Sequence, residues 1–305
     1  NGKDIARCLC TCQQSCHSIL SSNMVENYRS LNFIFLFIFN GLFFFVGIFL
    51  NSVVITGLLK SKQHLKSLCS FMILVLTCVD LSTVIVCHPL IIMSSCIWSN
   101  GDYDSSNIYH RVKKYSNILF HFSFMALLVM NIDRFLAVKY PFFHKQAVTR
   151  RRLLALLGVL LLTVLVERVL AYRMFFGIVC YAAEAVLVSA LLVVIFVINV
   201  KMYYIARMHR KVATGVSTCI LAVTCFVLFS TPLLIYSAIQ FVPETLHADN
   251  AMLFSLWAST LACINSSANC LIFFWKDRRL RTLAAKVFES LVTRREESTF
   301  DTPSR

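Results

Sequence analysis

Charged residues are scarce in this sequence, and that scarcity restricts its fold. Only 14% of the 305 residues are charged, whereas 58% are hydrophobic and the mean hydropathy is +0.72. Average proteins are about 25% charged and about 45–50% apolar. The composition therefore predicts a chain surrounded by lipid rather than a soluble protein with a large buried core. Internal repeats and low-complexity tracts are also lacking and the connections are short, which leaves no room for a separate soluble domain.

Signatures of enzymes and metal sites are lacking as well. No nucleophile–base pair, Walker loop or metal cluster can be recognised, so an enzyme is not expected. The thirteen cysteines contain no CxxC spacing for zinc, and most are expected to act as small core hydrophobes. The net charge of +14 comes from short basic stretches between apolar runs, which indicates membrane topology rather than nucleic-acid binding.

Seven apolar runs have the length that a bilayer requires, which is about 20 residues for a helix. Over such lengths only a helix satisfies its own backbone in hydrocarbon. The predicted fold is therefore an all-α membrane protein, a bundle of seven transmembrane helices. The runs are 31–59, 67–93, 111–138, 153–172, 176–206, 214–241 and 249–275.

An eighth segment begins at Lys276. Its apolar residues recur at helical spacing opposite a basic face, which predicts a short amphipathic helix on the cytoplasmic surface. The apolar face comprises Leu280, Leu283, Ala284, Val287, Phe288 and Leu291.

The distribution of basic residues predicts the orientation. With the N-terminus outside, the inner connections carry seventeen Lys and Arg residues and the outer ones eight, in agreement with the positive-inside rule. We expect an extracellular tail over residues 1–30, a seven-transmembrane domain over 31–275 and a cytoplasmic segment over 276–305. Two interpretations of residues 1–23 stay open: a tail with disulfides between its cysteines, or a stretch upstream of a true start at Met24.

Polar residues within apolar runs are costly, about 2.5–3.5 kcal/mol for a charge at the bilayer centre, so they indicate function. Asn51 and Asp80 lie in the first and second runs, and the third ends in Asp133-Arg134-Phe135. The sixth contains Phe226 and Pro232, and the seventh contains Asn265-Ser266-Ser267-Ala268-Asn269. In this order and at these depths, the motifs resemble the rhodopsin-like (class A) family of G-protein-coupled receptors over about residues 31–291.

The resemblance implies a signalling function without a required cofactor. Arg134, beside Asp133, would engage the C-terminal helix of a heterotrimeric G protein when the sixth helix swings outward about Pro232. Phe226, Asn269 and Phe273 would belong to the same activation switch. The alternatives are an arginine that reaches lipid headgroups and a static proline kink.

The resemblance also implies a sodium site at Asp80. Its oxygen donors would come from Ser123 of the third helix and from Asn265, Ser266 and Asn269 of the seventh. The alternatives are a hydrogen-bonded network with water and no ion, or the acid of a transporter.

Several family positions are changed in this sequence. Ser230 replaces the usual tryptophan of the sixth helix, and Cys270 and Phe273 replace the proline and tyrosine of the seventh. The usual cysteine at the outer start of the third helix is Tyr109. The absent disulfide, a very short second outer loop and the inner end of the fifth helix, Met202 to His209, most resemble the melanocortin, cannabinoid, lysophospholipid and adenosine receptor branch.

The ligand pocket is predicted at Lys113, Ser116, Ser237 and Cys263. Ser116 replaces the aspartate of amine receptors and Cys263 the lysine of retinal-binding opsins, so neither ligand class is expected. Our hypothesis is a small lipid-like or anionic ligand whose acid meets Lys113 or Arg111. The alternative is that these cations contact phosphate headgroups of membrane lipids.

Three functions are compatible with these motifs. The first is a G-protein-coupled receptor in the plasma membrane, which the intact Asp133-Arg134 favours. The second is a non-signalling receptor-derived protein, a decoy or dimer partner, which the changed motifs of helices six and seven favour. The third is a transporter that uses Asp80.

Overall fold

The structure, a computed structural model, describes the backbone over six ranges and five single positions. The ranges are 2–60, 67–99, 106–173, 177–208, 213–239 and 248–276, and the positions are 278, 281, 282, 285 and 289. Side chains are described for 27–60, 67–98, 118–167, 169, 186–205, 207, 217–239, 250–275 and the same five positions.

The described residues form seven long helices and one short one. They are α1 (Gly2–Lys60), α2 (Leu68–Ser99), α3 (Ser106–Lys139), α4 (Pro141–Ala147), α5 (Arg150–Arg173), α6 (Gly177–Met208), α7 (Ala213–Ile239) and α8 (Ala248–Lys276). Each predicted apolar run overlaps one of the long helices over nearly all of its described residues. The short α4, which the apolar pattern does not predict, connects α3 to α5.

Six helices contain stretches that are long and apolar enough to cross a membrane. These stretches are Asn27–Lys60, Leu68–Trp98, Ile118–Lys139, Val186–Ile205, Ser217–Ile239 and Asn250–Trp275. The fourth predicted span, 153–172 in α5, is not among them. Within this run, side chains are described only for 153–167 and 169.

The bundle is organised around α3 and α8. About two thirds or more of their apolar stretches is buried, 67% in α3 and 72% in α8, against 22% in α1 and in α6. α3 contacts α2, α5, α6, α7 and α8, and α8 also packs between α1, α2 and α7. Side chains on α3 and α8 therefore have protein neighbours on most sides, and polar groups there can find partners.

The outer helices expose more large apolar side chains than the surface of a soluble protein does. Phe45 of α1, Val159 of α5, Phe196 of α6 and Leu228 of α7 are each more than 60% exposed. These outward-facing positions recur along helices with buried inner faces. The arrangement is that of a bundle whose outer surface contacts lipid.

Beyond α8, the five described positions are all helical. The Thr282 hydroxyl donates to the Arg278 carbonyl at 3.0 Å, one turn back, and Arg278 and Arg281 are exposed. This is compatible with the helix expected after Lys276, whose amphipathic face includes residues outside those described. The eighth helix and the proposed domain boundaries stay predictions, as do the disulfides of the N-terminal cysteines, whose side chains are not described.

Candidate functional site

A charged pair closes the C-terminal end of α3, which we call the Arg134 end of the bundle. The Arg134 Nε donates to Asp133 Oδ2 at 2.9 Å, and its Nη2 contacts the same oxygen. The Asp133 side chain is fully buried, whereas that of Arg134 is 18% exposed. The sequence-predicted pair is therefore present, with its cation partly accessible at the end of the bundle.

The short helix α4 brings a third residue to this pair. Tyr140 is the non-helical residue between α3 and α4. Pro141 begins α4, where its missing N–H needs no partner. The chain thereby turns back so that His144 Nε2 lies 2.8 Å from Asp133 Oδ1. The same turn leaves Phe142 85% exposed. Neither His144 nor Phe142 was predicted from the sequence, because the path of the chain after α3 decides their positions.

Asp80 lies in the buried centre of the bundle, where α2, α3 and α8 meet. The Ser123 hydroxyl donates to Asp80 Oδ1 at 2.6 Å, and the Asn269 amide donates to Oδ2 at 3.0 Å. Ser266 supplies a further side-chain hydrogen bond. Among the described residues, no Lys, Arg or His forms a salt bridge with Asp80. Three of the four residues predicted to surround this carboxylate are thus in contact with it.

Two buried amide oxygens of α8 lack hydrogen-bond partners, Asn265 Oδ1 and Asn269 Oδ1, and Asn269 is the residue whose amide reaches Asp80. A buried acceptor without a partner costs about 1–3 kcal/mol. A carboxylate together with unpartnered neutral oxygens is the donor set that suits a small hard cation. The residues present therefore fit the predicted sodium ion, and ordered water would satisfy the same oxygens.

A second polar link, next to the Asp80 cluster, joins α8 to α1. The Cys270 thiol, at the position of the family's proline, donates to Asn51 Oδ1 at 2.9 Å. The Asn51 amide donates to the Gly47 carbonyl at 2.8 Å. The proline-to-cysteine change removes a helix breaker, and α8 runs continuously through Cys270. The substitution also adds a donor that fastens α8 to α1.

Phe226 of α7 stacks against α3. Its ring lies 5.4 Å from that of Phe120 and 5.0 Å from that of Phe124, with interplanar angles of 19° and 17°. One turn further along α7, the buried Ser230 hydroxyl has no hydrogen-bond partner. Pro232 follows within the same unbroken helix. Phe273 of α8 is fully buried in the hydrophobic core that contains Phe226.

The predicted ligand-pocket residues are only partly described. Lys113 and Ser116 lie in α3, but their side chains are outside the described residues, as is that of Arg111. The Ser237 hydroxyl donates to Leu233 within its own helix at 3.0 Å. Cys263 is buried and forms a side-chain contact with Cys87 of α2. Within the described residues, no hydrogen bond joins Ser237 to Cys263.

A third polar cluster, which was not predicted from the sequence, links α1, α2 and α8. The Asn40 amide donates to Thr260 Oγ1 at 2.9 Å and to the Leu36 carbonyl at 2.8 Å. Asn40 Oδ1 lies 2.8 Å from His88 Nδ1, which must therefore carry the proton. The signal was present in the sequence, since both residues are polar groups within apolar runs.

Comparison with known families shows a match over part of the chain. Residues 50–177 match the family described as 7 transmembrane receptor (rhodopsin family). The chain is similar to the rhodopsin-family receptors. No curated protein matches it.

The rhodopsin-family match covers the first half of the motif set. It includes Asn51, Asp80, Ser123 and the Asp133–Arg134 pair, whereas the departures at Ser230, Cys270 and Phe273 lie beyond it. With the apolar helices, the match supports a multi-pass membrane receptor of the rhodopsin type. It distinguishes none of the family's branches, so the melanocortin, cannabinoid, lysophospholipid and adenosine placement stays a hypothesis.

Proposed function

We propose that this chain is a G-protein-coupled receptor of the plasma membrane, with its N-terminus outside and its Arg134 end in the cytoplasm. It transmits the binding of an extracellular ligand to a heterotrimeric G protein. The observation that carries the proposal is the Arg134 guanidinium, held by a buried carboxylate but partly exposed where α3 ends. The rhodopsin-family match over this segment supports the same function.

The chemistry of Arg134 suits a partner that presents the C-terminal end of a helix. Such an end carries partial negative charge on its unpaired carbonyls, and a guanidinium offers five donors to them. To reach a partner, Arg134 must first leave Asp133. The exposed Phe142 next to this site offers an apolar contact to the same partner. The resting pair therefore limits coupling until the bundle opens.

Opening at the Arg134 end requires α7 to separate from α3. Pro232 removes one backbone hydrogen bond of α7, so bending is easiest there. The stack of Phe226 on Phe120 and Phe124 opposes the separation. Each aromatic pair contributes about 0.5–1.5 kcal/mol beyond its buried area. We infer that this stack, rather than the absent tryptophan at Ser230, holds the resting state.

We propose that a sodium ion binds at Asp80 as an allosteric ligand of the same resting state. Its oxygens would come from Asp80, Ser123, Asn265, Ser266 and Asn269. The unpartnered amide oxygens of Asn265 and Asn269 support this proposal. When bound, the ion supplies a positive charge to a buried carboxylate to which the described residues otherwise offer only neutral donors.

The ligand class is a narrower proposal that rests on the sequence. A lipid-like or anionic molecule would place its acid group on Lys113 or Arg111. Loss of acidic-lipid binding in a Lys113→Ala variant would support this proposal, and unchanged affinity would contradict it.

The coupling proposal is tested by expression with a panel of G-protein reporters. We expect basal or ligand-driven signal from the wild type and its loss in Arg134→Ala at equal surface expression. Lys139→Ala is the matched control, because Lys139 is an exposed cation of the same helix that lies over the Phe135 and Tyr140 rings. Its signal should persist.

Two results would count against the proposal. A signal that survives Arg134→Ala would separate coupling from this residue. Silence with every reporter, despite surface expression, would favour the decoy or dimer-partner function.

A further inference from the structure

We propose that His144 positions Asp133 and makes the release of Arg134 sensitive to pH on the side of the membrane where α3 ends, with acid favouring release. This inference rests on the proposed coupling function. It follows from one shared carboxylate: Asp133 Oδ1 faces His144 at 2.8 Å, and Asp133 Oδ2 faces Arg134 at 2.9 Å.

The hydrogen bonding fixes which nitrogen of His144 titrates. An ionised carboxylate only accepts hydrogen bonds, so His144 Nε2 must carry a proton in both the neutral and the charged ring. The proton that is gained in acid therefore binds at Nδ1. The His144 side chain is 15% exposed, so water can deliver that proton while the buried Asp133 stays in contact with Nε2.

The protonated ring changes the charge balance of the cluster. With His144 neutral, the charges of Asp133 and Arg134 cancel. With His144 protonated, the cluster carries one excess positive charge while Arg134 stays bound, and the two cations repel each other across the carboxylate.

The balance differs once Arg134 leaves. A neutral His144 then remains beside a buried, uncompensated Asp133 carboxylate, which is strongly unfavourable. A protonated His144 forms an ion pair with that carboxylate instead. Both effects act in the same direction, so protonation of His144 stabilises the state in which Arg134 is free to bind a partner.

Other charged or titratable groups around the cluster do not replace His144 in this role. α4 packs against α3, and Arg152 at the start of α5 donates to the carbonyl of Ala147 at the end of α4. Two thiols interact electrostatically with Arg134 from α2 and α7, and thiols are ordinarily neutral at pH 7. Arginine and lysine keep their charge, whereas histidine ordinarily changes charge between pH 5 and 8. The two thiols are those of Cys69 and Cys219, and the nearby lysines are Lys139, the last residue of α3, and Lys145 of α4.

The first experiment measures the pH profile of signalling in membranes that expose the Arg134 end. We expect the wild-type signal to rise about fivefold from pH 7.5 to pH 6, at the lower end of typical allosteric coupling. His144→Gln keeps a neutral amide donor for Asp133 but cannot gain a proton, so its signal should stay constant over the pH range in which the wild-type signal rises. His144→Lys keeps a permanent charge, so its signal should be high throughout. His64→Gln is the control, because it removes a histidine from the stretch between α1 and α2 in place of the one on α4, and it should retain the wild-type profile.

The second experiment does not depend on G-protein coupling. The His144 ring is followed by NMR in the full-length protein, and its titration is compared between wild type and Arg134→Ala. Removal of the neighbouring cation should move the His144 titration to higher pH. A wild-type pH response in His144→Gln, or an unchanged His144 titration in Arg134→Ala, would overturn the proposal. Loss of coupling with the NMR shift intact would instead refute the proposed function alone.

Discussion

Replacement of Gly47 by alanine tests how closely α1 packs against α2 and α8. A Cβ at this position would lie 2.6 Å from Ser267 Oγ and 2.8 and 2.9 Å from the two methyl carbons of Val84. Real Cβ atoms essentially never come within 3.0 Å of other heavy atoms. Rotation of Val84 does not remove the overlap, because every staggered rotamer keeps a methyl group at one of these two positions. We therefore expect the helices to move apart.

The expected cost follows from the rigidity of packed interiors. Forcing one extra carbon into a filled contact costs about 1–3 kcal/mol. The helix-propensity gain of alanine over glycine offsets about 1 kcal/mol of this. Gly41→Ala is the matched control, since Gly41 lies in the same helix and no atom stands within 4 Å of the place that its new methyl group would occupy. It receives the propensity gain without the overlap.

The measurement uses the buried thiols as reporters of unfolding. In detergent, a thiol-reactive fluorogenic dye will label Cys87, Cys219, Cys263 and Cys270 only when the bundle opens, since all four are buried. We expect a lower melting temperature for Gly47→Ala than for Gly41→Ala, by about 2–4 °C for each kcal/mol. Adding Val84→Ala should recover part of the loss. Equal melting temperatures for the two alanine variants would refute the close packing at Gly47.

Three further predictions concern the polar and aromatic clusters. Asp80→Asn should abolish any rise of melting temperature with sodium over matched potassium; a sodium response that persists would place the ion elsewhere. Phe226→Leu should raise basal signal several-fold, because about 1 kcal/mol of stacking on α3 is lost; an unchanged basal signal at equal expression would argue against the stack as a restraint. Asn40→Val should lower stability by about 1–2 kcal/mol, since interhelical hydrogen bonds in membranes contribute about 0.6 kcal/mol each and a buried polar group is left unpaired. Thr163→Val is its control, because Thr163 bonds only within its own helix, and an equal loss in both variants would contradict the proposed link.

Composition and run length predicted the helices well because both are local properties. Each predicted run overlaps one long helix of the structure, and six of these helices contain membrane-length apolar stretches. The remaining run, 153–172, is the fourth along the chain and lies in α5, whose side chains are described only in part. Hydrocarbon thickness and backbone hydrogen bonding determine span length without reference to the rest of the fold.

The Asp80 site was predictable for a different reason. A carboxylate within hydrocarbon requires partners, and the polar residues of the third and seventh runs are the available ones. The family resemblance predicted which of these residues would surround Asp80, and the structure brings Ser123, Ser266 and Asn269 into contact with it. The unpartnered amide oxygens were not predictable, because they depend on side-chain rotamers within the packed centre.

The sequence by itself therefore determined the membrane environment, the helices and the polar residues that must face inward. Tertiary structure alone decided which of these residues meet. Asn40 contacts His88 and Thr260, which are 48 and 220 positions away in sequence. His144 reaches Asp133 only because α4 turns back after Tyr140. Periodicity along one helix gives the direction of a side chain, but the neighbour it meets depends on how helices distant in sequence pack together.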